Sequence, residues 1–370
     1  MLKTVTKLTV FIRMHMMVLA RVAVLYCVLL NTTQALPFDQ ISHIYFFGDS
    51  LTDSGFNDLW PTEAHPPTIP PLPSGKAPTF TTFGGYTWAQ YIARDIKGFV
   101  LPIYPGPTPP DTITNNSIYA QPPHVPGFVS GTLTGIDYAA GGSTTNSIGV
   151  SEPWAPSLHQ QVAQYLSTAE QTLDPNAVYF IWSGANDILA LLFAAPPLPT
   201  QLQLLVAANT AAINIANEVA LLSARGAKRV VVLSLPNIGI TPLIAEIAAA
   251  FHIPTLPASM KTLTFTFNSM LNQQLGKVIS KYGTKVLYVD VYTLLDNVII
   301  ATQAGRPYEV AGQSFLFVNY TDPACATVPS AIYCPSTAPH NYIFADVLHP
   351  TDMAHRLLSL QVETEIQKWK

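Results

Sequence analysis

Residues 43–50 read HIYFFGDS, and the fold turns on how they are read. Ile44 to Phe47 form a short apolar and aromatic run without polar alternation, stopped by Gly48-Asp49-Ser50. A run of that kind is how a strand buried on both faces reads, and both faces are covered in a parallel sheet flanked by helices. Four further runs have the same character: LTGIDYAAGGS (133–143), AVYFIWSGAND (177–187), KRVVVLSLPNIG (228–239) and TKVLYVDVY (284–292). Each runs into Gly, Asn, Asp or Ser. Helix-like stretches at 157–173, 200–226 and 259–283 lie between them, the last two reaching the terminal glycines Gly226 and Gly283, and another spans 351–369. This alternation predicts an α/β fold, a three-layer α/β/α sandwich around a central, mostly parallel sheet of five strands. There is no internal repeat.

Two proline-rich stretches, 60–81 and 101–126, interrupt the alternation and cannot be helix or central strand. Long loops of this sort in a compact domain tend to surround a site, the alternative being surface padding. Residues 1–35 carry Lys3, Lys7, Arg13 and Arg21, then the apolar run Val22 to Leu30, then Thr33-Gln34-Ala35. They read as a signal peptide cleaved near Ala35, leaving residues 36–370 as one secreted domain. The alternative, a membrane anchor, calls for about 20 apolar residues. No other segment reads as long enough to span.

The chain has 370 residues, 49% hydrophobic and 11% charged, enough to build a large core. Without residues 1–35, 14 basic residues face 22 acidic ones, a balance of −8 that argues against nucleic acid and against a strongly anionic membrane as partners. Cys27 falls in the leader. Cys325 and Cys334 remain, an even number in an exported chain, and read as one disulfide closing CATVPSAIYC; two buried thiols are the alternative.

Ligands of open parallel sheets bind outside the carboxyl ends of the strands, so the residues there matter most. They are Gly48-Asp49-Ser50, Gly141-Gly142-Ser143, Ser183 to Asp187, and DVLHPT at 346–351. A serine hydroxyl needs a base to become a nucleophile. His349 supplies one near neutral pH. Asp346, three residues earlier, can hold the imidazole in one tautomer, and Pro350 keeps His349 out of helical dihedrals. Donors for an oxyanion are the Ser50 N–H, the Gly142 N–H and the Asn186 side chain. Other readings stand beside these. Ser50 suits a helix N-cap, Gly141 competes with Gly142, and Asn186 suits a turn. Asp49 reads as a brace of its turn, Asp187 as structural, and His355 as a surface or packing residue. A metal site from Asp346, His349 and His355 lacks further ligands, and no cofactor is expected. The G-x-S-x-G elbow of α/β-hydrolases is absent from the chain.

The four segments together resemble the blocks of the GDSL, or SGNH, esterase and lipase family. They are Gly48-Asp49-Ser50-Leu51, the glycine of DYAAGGST, Gly184-Ala185-Asn186-Asp187, and Asp346 to His349, in the family's order. FGDSLTDSG, YTWAQYIA and a cysteine-closed loop before the D-x-x-H block resemble most the branch of secreted bacterial lysophospholipases and glycerophospholipid:cholesterol acyltransferases. The resemblance implies a flavodoxin-like sandwich with Ser50, Asp346 and His349 as catalytic residues and Ser50, Gly142 and Asn186 as oxyanion donors. It implies an acyl-serine esterase acting on lipids such as lysophospholipids, at a membrane or micelle surface, with acyl transfer to an alcohol such as cholesterol as a variant. It also suggests that a protease nicks the 325–334 loop to activate the enzyme; the alternative is a plain staple. Trp60, Phe80, Phe83, Tyr86 and Trp88 are candidates for an acyl channel, although Tyr86 and Trp88 also suit inward packing on the first helix. A carbohydrate acetylesterase with the same triad, and a non-catalytic binding protein on the same fold, are the competing functions.

Overall fold

The computed structural model describes residues 37–54, 79–82, 84–98, 136–147, 155–194, 197–325, 334–335 and 337–369. The expected leader, the 101–126 stretch, most of the 60–81 stretch, Trp60 and Phe83 lie outside the described residues.

Four parallel strands make the sheet: β1 (Ile44–Gly48), β2 (Val178–Trp182), β3 (Arg229–Leu233) and β4 (Lys285–Val289), in that spatial order. β2 shows why such runs are apolar throughout. Val178, Phe180 and Trp182 point to one face and Tyr179 and Ile181 to the other, and all five are buried. On the first face lie α1 (Trp88–Lys97), α7 (Val291–Gln303), α8 (Asp352–Lys368) and a hairpin of β5 (Tyr308–Val310) with β6 (Gln313–Phe315). On the second lie α2 (Leu158–Thr168), α3 (Ala185–Phe193), α4 (Gln201–Ala224), α5 (Pro242–Ala250) and α6 (Leu256–Tyr282). The three-layer arrangement is therefore as expected.

The fifth strand is not. The 133–143 run contributes one parallel bridge, Asp137 to Phe46, on the free edge of β1. Phe46 N–H donates to Ile136 O (2.9 Å), Tyr138 N–H to Phe46 O (2.8 Å) and Ala140 N–H to Gly48 O (3.2 Å). Between the last two of these bonds, Gly48 N–H goes to the side chain of Gln161 (2.8 Å) and not to this segment, so the ladder stops at one bridge. The segment still occupies a strand's place. The chain passes to one side of β1, then crosses to β2 on the other, which makes the C-terminal ends of β1 and β2 the switch point of the sheet.

By length and composition α4 is apolar enough to cross a membrane, contrary to the expectation from sequence. In the fold its inner side, with Ala208, Ala211, Ala212, Ile215 and Val219, belongs to the core. A second feature positions the site: α8 is fastened to α1. Asp352 Oδ1 accepts from Tyr86 N–H (2.8 Å) and from the Tyr91 hydroxyl (2.6 Å), Trp88 N–H donates to His355 Nδ1 (3.3 Å), and Arg356 pairs with Asp95.

Candidate active site

Beyond Gly48 the chain turns sharply. Asp49 O accepts from Thr52 N–H (3.0 Å) and Asp53 N–H (2.9 Å), and Asp49 Oδ1 accepts from Leu51 N–H (3.0 Å). Ser50 sits at the crest. Residues 51–54 form a turn and bend, and the Ser50 hydroxyl caps no helix; it lies 2.8 Å from His349 Nε2. The other imidazole nitrogen, Nδ1, lies 2.7 Å from Asp346 Oδ2. Asp346 Oδ1 also accepts from Leu348 N–H (2.8 Å) and His349 N–H (2.6 Å), so one carboxylate builds the turn that carries the histidine and orients its ring. Ala345 N–H to His349 O (2.7 Å) and the Phe80 ring, 4.8 Å from the imidazole, complete the support. Asp346 is buried, which by itself raises a carboxyl pKa. The neighbouring imidazole and the donated hydrogen bonds outweigh that and hold it below the ordinary value. Asp346 is thus an ionised acceptor, Nδ1 carries its proton, and Nε2 presents a lone pair to Ser50.

The glycine pair resolves by its hydrogen bonds. Gly141 N–H is taken by Asp53 Oδ2 (2.7 Å) and Ser143 N–H by Ala140 O (3.1 Å). Gly142, at φ 78°, lies between them, and its N–H has no partner among the described residues; neither has the Ser50 N–H. Asn186 is the second residue of α3. It gives one amide hydrogen to Ser143 O (2.8 Å), leaving the other for an oxyanion. Gly184, just before it, has φ 113°, and a Cβ there would stand 2.8 Å from Phe267. Asp187 is structural, as expected: its two oxygens take the Thr145 N–H (3.0 Å) and hydroxyl (2.6 Å), tying α3 to the glycine loop.

Other sequence candidates fall elsewhere. His355 is fully buried against Trp88, its pKa lowered to about 3 by burial. Among the described residues no group of three or more His, Cys, Asp and Glu is placed to hold a metal ion. Cys325 and Cys334 form a disulfide, Cα atoms 5.2 Å apart. Of the five aromatic channel candidates, Phe80, Tyr86 and Trp88 are among the described residues, and Trp88 takes the inward packing that was its alternative. Phe80 packs on His349, Tyr86 lies edge-on to Tyr91, and Trp88 is buried among Phe46, Phe180 and Trp182. An apolar cavity that opens at Ser50 and Asn186 runs between the sheet and α7 and α8, past Leu294, Leu295, Val298, Phe317, Ile343 and Leu357, residues not among those candidates. Sequence reasoning also missed Gln161, which bonds Gly48 and Ser143.

Asp49 offers a test of the site's electrostatics. Burial pushes its pKa up to about 7, against the partial relief of the Leu51 N–H. A folded-state pKa above the unfolded one contributes stability below the unfolded value that is lost as pH rises through the folded one. Asp49→Asn keeps an acceptor for Leu51 N–H and removes that loss. The gain in unfolding free energy should be nil near pH 4 and reach a few kcal/mol above about pH 8, at about 1.4 kcal/mol per unit of displaced pKa. Urea titrations across that range check it; a gain independent of pH would assign the effect to packing.

A hydroxyl on the free nitrogen of a carboxylate-held imidazole, beside an apolar cavity, is a constellation suited to cleaving esters. The chain belongs to the GDSL-like lipase/acylhydrolase family, whose model matches residues 44–362, and it is accordingly a hydrolase of ester bonds. GDSL esterase/lipase At2g40250 of Arabidopsis thaliana is 25% identical over 356 residues, covering 90% of this chain and 91% of its own. GDSL esterase/lipase EXL2 of the same plant is 25% identical over 356 residues, 87% of each chain. Esterase EstA of Pseudomonas aeruginosa is 29% identical over 357 residues, which cover 91% of this chain and 48% of EstA.

Proposed function

We propose that the protein is an exported esterase that removes acyl chains from lipids, foremost lysophospholipids and phospholipids, through an acyl-Ser50 intermediate. His349 Nε2 takes the Ser50 proton as Oγ attacks the ester carbon. The oxyanion accepts from the Ser50 and Gly142 N–H groups and the second Asn186 hydrogen, each donor being worth about 3–4 kcal/mol in the transition state. The imidazolium, steadied by Asp346, protonates the departing alkoxide, and water repeats the sequence on the acyl-enzyme. The observation that carries the lipid reading is the apolar cavity beginning at Ser50. An acetyl group would leave that lining without a partner, whereas an alkyl chain buries it at about 0.8 kcal/mol per CH₂.

The leader-like residues 1–35 and the paired cysteines support export. Acyl transfer to an alcohol such as cholesterol is the same chemistry with another acceptor. Activation by proteolysis between Cys325 and Cys334 is part of the same reading, although residues 326–333 lie outside the described ones.

A substrate panel tests it: p-nitrophenyl acetate, p-nitrophenyl palmitate and lysophosphatidylcholine, with and without cholesterol, before and after limited proteolysis. Higher kcat/KM for the long-chain substrates is expected. Activity confined to the acetyl ester would sink the lipid reading in favour of an acetylesterase.

A further inference from the structure

Gln161 is the fourth residue of α2 and is wholly buried. Its neighbour Gln160 closes the capping box on Ser157 at the helix start. One step further round the helix, Gln161 enters the sheet edge. Its Oε1 accepts from Gly48 N–H at 2.8 Å. Its Nε2 donates to Gly48 O (2.8 Å), Ser143 Oγ (3.0 Å) and Pro156 O (3.0 Å). Three acceptors share two hydrogens, so every polar atom of the amide is engaged. The Ser143 hydroxyl donates its own hydrogen to Pro156 O at 2.8 Å and is therefore an acceptor toward Gln161.

The amide stands where a strand would. Along this edge of β1, N–H groups two residues apart project the same way. Phe46 N–H reaches Ile136 O, and Gly48 N–H reaches Gln161 Oε1 in place of a carbonyl of the neighbouring segment. Ser50 lies two residues beyond Gly48, across the turn that ends the strand. At its other end the amide holds Ser143, which follows Gly142 and whose carbonyl holds Asn186. All three oxyanion donors are thus referred to one buried side chain: Ser50 through Gly48, and Gly142 and Asn186 through Ser143.

We infer that Gln161 is a positioning residue that sets the separation of the oxyanion donors, an inference that rests on Ser50 being the nucleophile. The test measures kcat and KM on p-nitrophenyl butyrate, the pH profile, the thermal midpoint, and the rate at which a fluorophosphonate labels Ser50. The variants are Gln161→Glu, which keeps an acceptor for Gly48 N–H and loses the amide's NH₂, and Ser143→Ala, which leaves Gln161 in place and removes its link to the glycine loop together with the hydroxyl's own bond to Pro156 O. The second decides the matter if the first does not fold. A lost oxyanion donor costs about 10²–10³ in kcat, so displaced donors should lower kcat and labelling by about ten-fold or more, with KM within about two-fold. The acid limb of the pH profile should not move, because His349 and Asp346 are untouched. Parent-like kcat with only a lowered midpoint overturns the inference, and so does a shifted acid limb, which would place the effect at the imidazole. Ser50→Ala is run in parallel. If it stays active the nucleophile assignment fails and this inference with it; if it is dead while Ser143→Ala and a folded Gln161→Glu keep full activity, the inference alone fails.

Discussion

Ser50→Ala is expected to abolish ester hydrolysis while the protein stays folded. Among the described residues the hydroxyl makes one hydrogen bond, to His349 Nε2 at 2.8 Å. Removing it strands no backbone group, and His349 keeps its bond to Asp346. Loss of the serine from a working triad costs on the order of 10⁶ in kcat, because base and acid then have nothing to act on. A residue of about 10³–10⁴ over water survives from the oxyanion donors and binding alone. Steady-state rates with a p-nitrophenyl ester and a thermal melt check both halves. A folded variant with full activity would remove Ser50 from the mechanism.

Asp346→Asn is the second large expectation, and the geometry says why so conservative a change should be so damaging. Asp346 Oδ1 carries two backbone bonds, from Leu348 N–H and His349 N–H. In asparagine the amide oxygen must take that place, since an NH₂ cannot accept from N–H. The NH₂ then faces Nδ1, which becomes an acceptor and drives the ring proton to Nε2. The nitrogen facing Ser50 would already be protonated and could take nothing from it. A fall of about 10⁴ in kcat is expected, with the loop intact. A drop of less than about ten-fold would mean that the carboxylate does not select the tautomer.

These residues were legible in the chain because each lies in a short block at the end of a strand or before a helix. There the chemistry depends on few letters. The strands were legible for a related reason: AVYFIW (177–182) and VVVL (230–233) carry no charge and no polar alternation, and only a sheet covered on both faces buries them. The fifth strand misled because its ladder is cut by a side chain 113 positions from Gly48. Gln161 takes the Gly48 N–H, a long-range interaction that no alternation pattern records. Gln161 was invisible because it stands beside Gln160. Helix phase alone decides that one glutamine caps the helix while the other enters the sheet, and the phase was known only to within a residue or two. The cavity lining escaped for a different reason. Leu294, Val298, Phe317 and Leu357 come from three separated segments, and each is an ordinary core residue until packing leaves a gap among them. The aromatic candidates were drawn instead from one stretch of chain, where Trp88 was already committed to the core.

The fastening of α8 to α1 bears on when a new molecule becomes active. Ser50 and His349 are separated by 299 positions, and His349 is held just ahead of the helix that Asp352, His355 and Arg356 clip onto α1. At 5–20 residues per second, a growing chain carries its nucleophile without its base for roughly 15–60 s. Through that interval it is chemically silent, whatever part of the sheet has formed. Regained hydrolysis on refolding is therefore a clock for the docking of α8, not for the sheet. A substitution that loosens the clip lowers the number of assembled molecules while leaving the turnover of each one unchanged.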